Sequence, residues 1–362
     1  MILPDTHIAA LLLAVLTLVC WGSWANTYKL AGRQRFELFY WDFALGVMVV
    51  ATAAALTFGS LGFDIGGDVA GFAFFDDLVR ASKHSWAYGV AAGAVFNLGI
   101  LLLVAAMSLE GMSLAFPVDL GLAAVVAMLL DYIIKPHTNA VLLFSAIAPI
   151  LGAVVLDVVA YRAVSLQRAQ EAIKSGRTKS TRLTASWKGI VLAAIGGLLV
   201  ALCSPLVDLS RAPETGMGPY AAAFMFAGGV FASTFVYNLF FMNLPVQGEP
   251  VELLHYFRQP KSSHLLPLLG GMMWAAGSVS LFVATSATTA AAGVGAEPVP
   301  LLGPATVHVV GLGAAVLSAL WGLLVWKEFR GAPDRARVLG ALVVVLLVAA
   351  LALLVFAPPF GA

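Results

Sequence analysis

The stretch RAVSLQRAQEAIKSGRTKSTRLTASWK, residues 162–188, is the longest polar segment of the chain and lies near its middle. Its seven basic residues are Arg162, Arg168, Lys174, Arg177, Lys179, Arg182 and Lys188. Long apolar runs precede this segment, and further apolar runs follow it. A basic segment between two sets of apolar runs is typical of a joint between the two halves of a membrane protein.

The apolar runs are long enough to cross a bilayer. A membrane-spanning helix needs about 17–25 mostly apolar residues, and ten stretches meet that requirement. Those before the polar segment are residues 7–30, 37–60, 85–108, 112–134 and 140–161. Those after it are residues 187–207, 219–243, 265–289, 304–326 and 336–357. The runs are about twice as long as a barrel strand and do not alternate in polarity, so they predict helices.

The composition excludes a water-soluble globule. The 362 residues are 61% hydrophobic and 11% charged, and the mean hydropathy is +0.95. Soluble domains are about 45–50% apolar and about 25% charged. A net charge of +1 indicates no nucleic-acid partner. The two cysteines, Cys20 and Cys203, lie inside apolar runs, which favours neither a disulfide framework nor a zinc site.

The first apolar run predicts a transmembrane helix rather than a removable signal peptide. It starts almost at Met1, lacks a basic region before it and leads directly into further spans. Basic residues then predict the orientation. With the amino terminus outside, sixteen of the 20 Lys and Arg residues fall in inner loops and four in outer loops. Because cytoplasmic loops are enriched in Lys and Arg, we expect both termini outside, and the short loops favour a bacterial plasma membrane.

The division of ten spans by one central segment predicts an all-α protein with an internal symmetry. Five spans in each half invert the second half relative to the first, and inverted repeats are frequent in secondary transporters. We therefore expect a first repeat over residues 1–161, a basic cytoplasmic linker over 162–186 and a second repeat over 187–362.

Sequence motifs point away from an enzyme. The chain contains no P-loop, no HExxH and no dinucleotide fingerprint, and we find no nucleophile–base pair or metal cluster at plausible spacing. An ATP-driven pump would need its nucleotide domain on another chain, and no filter signature indicates a channel. These exclusions favour a secondary carrier without cofactor or metal. A non-transporting scaffold is the alternative from another class.

Two aspartates inside the spans are candidates for carrying a proton. Asp42 and Asp119 lie six or seven residues into their spans from the inner side, which is about 10 Å at 1.5 Å per residue. A partly desolvated carboxylate at that depth suits proton coupling. Pro117 removes a backbone hydrogen bond close to Asp119 and predicts a broken helix there. The alternative for Asp42 is an ion pair with a basic residue of the same hairpin: Lys29, Arg33 or Arg35.

Four other side chains are candidates for binding a substrate. Trp21 and Trp24, three residues apart in the first span, lie deeper than an interfacial aromatic belt. Trp274 is in the middle of the eighth span. An indole offers a flat surface for a planar ring or a sugar, and plain packing is the alternative. Asn97, in the middle of the third span, needs a polar partner, which is either another helix or a solute.

Several segments resemble the plant ureide permeases in order and spacing over nearly the whole chain. They are Cys20-Trp21-Gly22-Ser23-Trp24 followed by Lys29-Leu30, Tyr40-Trp41-Asp42-Phe43, Leu56-Thr57-Phe58-Gly59, Asn97-Leu98-Gly99, Glu110-Gly111-Met112-Ser113 and the run WGLLVWKEFR from Trp321 to Arg330. The resemblance is stronger still for the parent of that family, the drug/metabolite transporter superfamily.

The resemblance implies a ten-helix inverted-repeat fold and proton-coupled uptake of ureides or of oxo-purine and pyrimidine bases. Sugar porters of the same superfamily are the second candidate, and efflux of a metabolite is a further one. The leading hypothesis is a proton-coupled importer of small polar ring compounds, with the substrate, protons and the lipid bilayer as its partners. The candidate substrate contacts are Trp21, Trp24, Asn97, Asp119 and Trp274. The candidate proton carriers are Asp42 and Asp119.

Overall fold

The computed structural model describes residues 1–32, 34–61, 73–134, 140–175, 187–212, 215–288, 299–303 and 305–355. Its helices are α1 His7–Ser23, α2 Asn26–Leu30, α3 Phe36–Leu56, α4 Ala73–Arg80, α5 Lys83–Glu110, α6 Met112–Ile134, α7 Ala140–Lys174, α8 Lys188–Ser210, α9 Pro219–Asn243, α10 Leu253–Arg258, α11 Ser262–Ser286, α12 Thr306–Leu320, a π-helical turn Trp321–Val325 and α13 Asp334–Val355. One isolated antiparallel bridge joins Thr288 to Pro300.

The predicted all-helical architecture is confirmed. Within the described ranges, ten helical segments are long and apolar enough to cross a membrane. The first joins α1 and α2, and the ninth joins α12 and the π-helical turn. Leu12, Val236 and Val345 lie in spans and remain 63%, 67% and 60% exposed. Helices that are apolar on every side, including the faces not covered by protein, are suited to contact with lipid.

The fifth span differs from the prediction, because α7 continues to Lys174 instead of ending near residue 161. The added residues include Ala, Leu, Gln, Arg, Glu and Lys, which are strong helix formers. Val164, in this extension, is buried in a small cluster with Ala332 and Ala336. The first part of the polar segment is therefore helical. Residues 176–186 of the predicted linker, together with Arg33 of the first loop, lie outside the described residues.

The fourth span also differs from the prediction. Helix α6 runs through Pro117 without interruption. Pro117 lacks the amide that would bond to the carbonyl of Ser113, but the turns after it continue regularly to Ile134. The break expected near Asp119 is therefore absent from α6. In the first span, α1 ends at Ser23 and α2 starts at Asn26, but Trp24 and Ala25 between them keep helical backbone angles, so this span continues with only a local irregularity.

The helices group into two compact units. The first contains Met1–Leu98 and Leu202–Val310, and the second contains Gly99–Ala201 and Gly311–Ala362. Each unit takes helices from both predicted halves of the chain. Compactness does not test the internal symmetry, so the inverted repeats over residues 1–161 and 187–362 stay a prediction.

In the first unit, α3 packs against α9 and α11, and α11 packs against α1. Glycines permit these contacts. A Cβ atom added to Gly271 would overlap the carbonyl oxygen of Phe43, and one added to Gly229 would overlap that of Val90. Small residues at such crossings let helix backbones touch, as is common between membrane helices.

In the second unit, α7 packs against α6 and α13. Its core contains the buried side chains of Met128, Ile150, Leu312, Val343 and Leu347. Apolar residues from helices far apart in sequence therefore converge on one layer.

The start of α6 is capped by Glu328, which follows the π-helical turn. Its carboxylate accepts hydrogen bonds from the backbone amides of Met112 and Ser113, at 3.0 and 2.8 Å. A carboxylate at this position satisfies free amides and complements the helix dipole. Gly322 leaves the room for this contact, since a Cβ atom there would approach Ser113 and Glu328 within 3.0 Å.

Candidate functional site

The irregular turn at Trp24 and Ala25 in the first span is stabilised by the residues that follow it. Asn26 Nδ2 donates to the carbonyl oxygen of Ser23 at 2.9 Å, and Thr27 Oγ1 donates to that of Trp24 at 2.7 Å. These bonds satisfy carbonyl groups at the point where the regular helical pattern stops. This turn includes Trp24 and lies close to Trp21, the two tryptophans of the first span that the sequence singled out.

Trp21 and Trp24 occupy different environments around this turn. The ring of Trp21 is nearly parallel to that of Trp274, with 6.2 Å between ring centroids and 3° between planes. Trp21 Nε1 donates to Ser278 Oγ at 3.0 Å, which fixes the plane of the indole. Trp24 is buried and packs against Phe43 at 4.9 Å. Trp21 and Trp274 therefore form a pair, while Trp24 supports it from behind through Phe43.

Trp274 is the centre of an aromatic cluster in the first unit. Its ring lies 4.8 Å from Phe96, 6.2 Å from Phe226 and 6.5 Å from Phe43, measured between centroids. A small cavity of about 10 Å³ lies beside it, with Phe226 and Ser278 among its lining residues. A volume of that order holds about one water molecule. The cluster is therefore closed in this conformation.

Asn97 lies in a buried hydrogen-bond network that joins three helices. Its Nδ2 atom donates to Ser233 Oγ at 2.8 Å and to Thr234 Oγ1 at 3.1 Å on α9. Its Oδ1 atom accepts a bond from the Tyr40 hydroxyl on α3 at 2.8 Å. Both amide protons and one carbonyl lone pair thus have protein partners. A bond from the amide protons to a solute would require one of these contacts to break.

Asp42 lies in the first unit, near the start of α3, and forms a second polar network. The Tyr256 hydroxyl donates to Asp42 Oδ1 at 2.5 Å, and His264 Nδ1 lies 2.8 Å from Asp42 Oδ2. Burial and the adjacent carboxylate raise the pKa of the Tyr256 hydroxyl, so Tyr256 is the donor. The Asp42 side chain is 5% exposed and that of His264 is 26% exposed. The imidazole therefore lies between a buried carboxylate and the surface of the protein.

The basic residues of the first loop were the alternative partners for Asp42. Arg35 instead forms a two-pronged ion pair with Glu37, at 2.7 and 3.2 Å. It also donates to the backbone carbonyl oxygens of Gln247 and Glu249. The guanidinium of Arg35 is therefore engaged away from Asp42. Arg33, another of the alternatives, lies outside the described residues.

Asp119 lies in the second unit and is fully buried. Among the residues that the structure describes, neither of its carboxylate oxygens has a hydrogen-bond partner. Two glycines of α8 provide the space for it. A Cβ atom on Gly196 would overlap Asp119 Oδ1, and one on Gly197 would overlap the backbone oxygen of Asp119. Asp119 is thus a buried carboxyl group that lies against the glycine backbone of α8.

Sequence reasoning missed Tyr256, His264 and Ser278. A signal for His264 was present, because Ser262-Ser263-His264 is a polar stretch directly before the predicted start of the eighth span. Polar residues at that position share the inner end of the membrane with Asp42 in the predicted orientation. Tyr256 and Ser278 carry no such signal, since a tyrosine in a loop and a serine in an apolar helix are common.

Two curated proteins are similar to this chain. Ureide permease 1 of Arabidopsis thaliana is 22% identical over 373 residues, and ureide permease 2 of the same plant is 22% identical over 375 residues. Each alignment covers 89% of this chain and 89% of the relative. The resemblance noted in the sequence motifs therefore extends over most of both chains.

A protein of known crystal structure shares the fold. It superposes with a TM-score of 0.53 over 95% of each chain, at 18% sequence identity. No family model matches the sequence. The ten apolar helices and the permease relatives together point to a multi-pass membrane protein.

Proposed function

We propose that this chain is a secondary transporter that takes up a small polar ring compound, of ureide or oxo-nucleobase type, together with a proton. The two similar proteins are named ureide permeases, which supports a carrier rather than an enzyme. Ten helices able to span a membrane support the same class. The proposal includes membership of the drug/metabolite transporter superfamily and an arrangement of the helices as two inverted repeats.

The parallel stack of Trp21 on Trp274 is the observation that carries the substrate part of the proposal. A planar solute between two rings needs about 7 Å between their planes, which is twice the contact distance of about 3.5 Å. The centroids are 6.2 Å apart, so the rings must separate to admit it. Trp24 and Phe43 support the pair, and Asn97 would bond the amide edge of the solute by exchanging one of its protein contacts for it. Asp119 is a further candidate contact in the second unit.

The network of Asp42, His264 and Tyr256 supports the proton part. The imidazole of His264 is partly exposed and its Nδ1 atom lies 2.8 Å from Asp42 Oδ2, so the contact offers a path for a proton between the surface and the carboxylate. Protonation removes the charge that makes movement of a carboxylate through a dry interior costly. Asp119, which is buried without a donor among the described residues, is the second candidate for the same role.

Binding of the substrate is tested by the thermal stability of the purified protein. A ligand that binds the folded state raises its apparent stability. We expect a rise in melting temperature with allantoin or uracil. Trp274→Ala should weaken that binding by about 5- to 150-fold, because stacking on an aromatic side chain contributes about 1–3 kcal/mol. Trp86→Ala is the matched control, because the Trp86 indole donates to the carbonyl oxygen of Leu78 and is not part of the stacked pair.

The binding result separates the candidate substrates. A shift with sugars alone would move the proposal to a sugar carrier, since indoles also stack on sugar faces. Unchanged affinity in Trp274→Ala would contradict the stacking role. Failure of all ureides, nucleobases and sugars to bind would contradict transport of ring compounds and favour the scaffold.

Proton coupling is tested with reconstituted vesicles. We expect an inward proton gradient to drive uptake of the ligand found above. Asp42→Asn should abolish uphill accumulation while exchange of solute across the membrane continues, because the neutral amide carries no proton. Glu37→Gln is the control, since Glu37 is also buried on α3 but is paired with Arg35. Normal accumulation in Asp42→Asn would assign the proton to another group, with Asp119→Asn as the next variant.

A further inference from the structure

The second unit contains an open groove lined by residues of the π-helical turn, the loop after it and α13. It has a volume of about 640 Å³, within the range of small-molecule sites. One wall is apolar and includes Leu320, Leu324 and Val344. Leu324 is 66% exposed, although it belongs to a candidate membrane span. The groove is therefore open towards the surface that lipid would cover.

One end of the groove, next to the apolar wall, is basic. Lys327, Arg330 and Arg337 line it, and all three are exposed. Arg337 donates to Asp334 at 2.6 Å, but that carboxylate is 90% exposed and such surface pairs are weak. The other acid of this loop, Glu328, is turned away to cap α6. The groove therefore keeps a net positive charge at the end of two spans.

The loop between the spans is held in place rather than free. Gln167, on the extended part of α7, donates to the carbonyl oxygen of Gly331 at 2.8 Å. Phe329 folds back against Gly340, with its ring 3.5 Å from a Cβ atom at that position. Lys327 has a backbone φ of 50°, a left-handed conformation that a non-glycine residue adopts at a cost. The basic end of the groove is therefore preformed.

We propose that this groove binds one anionic phospholipid, with its phosphate at Arg330, Arg337 and Lys327 and an acyl chain along the apolar wall. A free inorganic anion would occupy the basic end and leave the apolar wall uncovered. A lipid covers both parts. Basic pockets between membrane helices bind anionic headgroups for this reason, and each nearby Lys or Arg contributes measurably to the attraction. The orientation predicted from basic loops would place this headgroup in the cytoplasmic leaflet.

Native mass spectrometry of the intact protein, released from neutral detergent, tests the proposal. Dioleoylphosphatidylglycerol is titrated against dioleoylphosphatidylcholine, and apparent affinities are read from the lipid-bound fraction. We expect the anionic lipid to bind more tightly. Each removed cation should cost about a factor of five, so Arg330→Gln/Arg337→Gln should weaken phosphatidylglycerol binding about 25-fold. Affinity for phosphatidylcholine in the same variant should change little, which serves as its internal check of folding.

The matched control removes the same charge elsewhere. The control variant Arg258→Gln/Arg335→Gln replaces two exposed arginines that do not line the groove. This variant should bind phosphatidylglycerol as tightly as the unmodified protein. Ala341→Phe narrows the apolar wall without changing charge and should weaken lipid binding. Equal losses in the two double variants, equal affinity for the two lipids, or displacement of the lipid by millimolar inorganic phosphate would each overturn the proposal.

Discussion

At the scale of single residues, Asn97 and Tyr40 illustrate how polar groups are kept inside a membrane protein. The Tyr40 hydroxyl is fully buried and donates to Asn97. The two side chains come from different helices, α3 and α5. An unpaired polar group in an apolar interior is costly, so burial of the Tyr40 hydroxyl depends on its bonds to Asn97.

Replacements of Asn97 and Tyr40 should have coupled effects on the free energy of unfolding. We expect Asn97→Leu to lower the free energy of unfolding by about 1–2 kcal/mol, because it leaves the Tyr40 hydroxyl without its side-chain acceptor. Ser233 and Thr234 keep their bonds to the carbonyl oxygen of Val230. The double variant Asn97→Leu/Tyr40→Phe should lose less than the sum of the single variants. Reversible unfolding in mixed micelles measures each value.

An additive result in that double-variant cycle would show that the bond between Asn97 and Tyr40 contributes nothing of its own. The same variants bear on the substrate site. If Asn97→Leu unfolds normally but loses ligand affinity, the amide serves the solute rather than the fold.

At the scale of helices, contact between backbones depends on particular glycines. Gly229 of α9 faces Val90 of α5 so closely that a Cβ atom would overlap the carbonyl oxygen of Val90. Its neighbour Gly228 has no atom within 4 Å of the same added Cβ position. The two glycines therefore offer a matched comparison on one helix.

Gly229→Ala should lower the melting temperature, since the added methyl group meets backbone that cannot move aside. Overpacking of this kind costs about 1–3 kcal/mol. Gly228→Ala should be neutral or stabilising, because alanine favours a helix by up to about 1 kcal/mol over glycine. Thermal unfolding of the two variants in the same detergent compares them. Equal stability of the two variants would mean that α5 and α9 do not approach as closely as described.

The run from Trp321 to Arg330 has a structural role at this scale. It contains the π-helical turn, and the carboxylate of Glu328 caps α6 in the second unit. Position 322 requires glycine, because a Cβ atom added there would lie 3.0 Å from the capping carboxylate of Glu328. In this chain the run therefore joins two helices within one unit.

At the scale of the whole molecule, orientation follows from the basic loops. With an impermeant maleimide and a background free of Cys20 and Cys203, Asp5→Cys should be labelled on intact cells, because the amino terminus is expected outside. Lys261→Cys, at the start of α11 in a predicted inner loop, should be labelled only after the membrane is opened. Both positions are exposed, so access of the reagent depends on the side of the membrane. The reverse pattern would invert the predicted topology.

The sequence by itself determined the ten spans, since the transfer of about 20 contiguous residues into lipid is a local property that depends on composition. It also marked Trp21, Trp24, Trp274, Asn97, Asp42 and Asp119 as unusual, because polar and amphipathic groups stand out against an apolar background. It did not indicate that α6 would continue through Pro117, where one missing hydrogen bond is outweighed by the turns that follow. Nor did it indicate that α7 would extend beyond the membrane segment, where packing on Ala332 and Ala336 supports the helix.

Only the tertiary structure decided which of these residues meet. Asp42 contacts His264 across 222 positions of sequence, and Trp21 contacts Ser278 across 257. Helices that are apolar on all sides have no polar face from which their partners could be inferred. The pairing of such helices depends on where a glycine permits close approach and where a buried donor finds its acceptor. Close approach and donor–acceptor pairing each depend on two packed helix surfaces, so the sequence of one helix alone does not determine them.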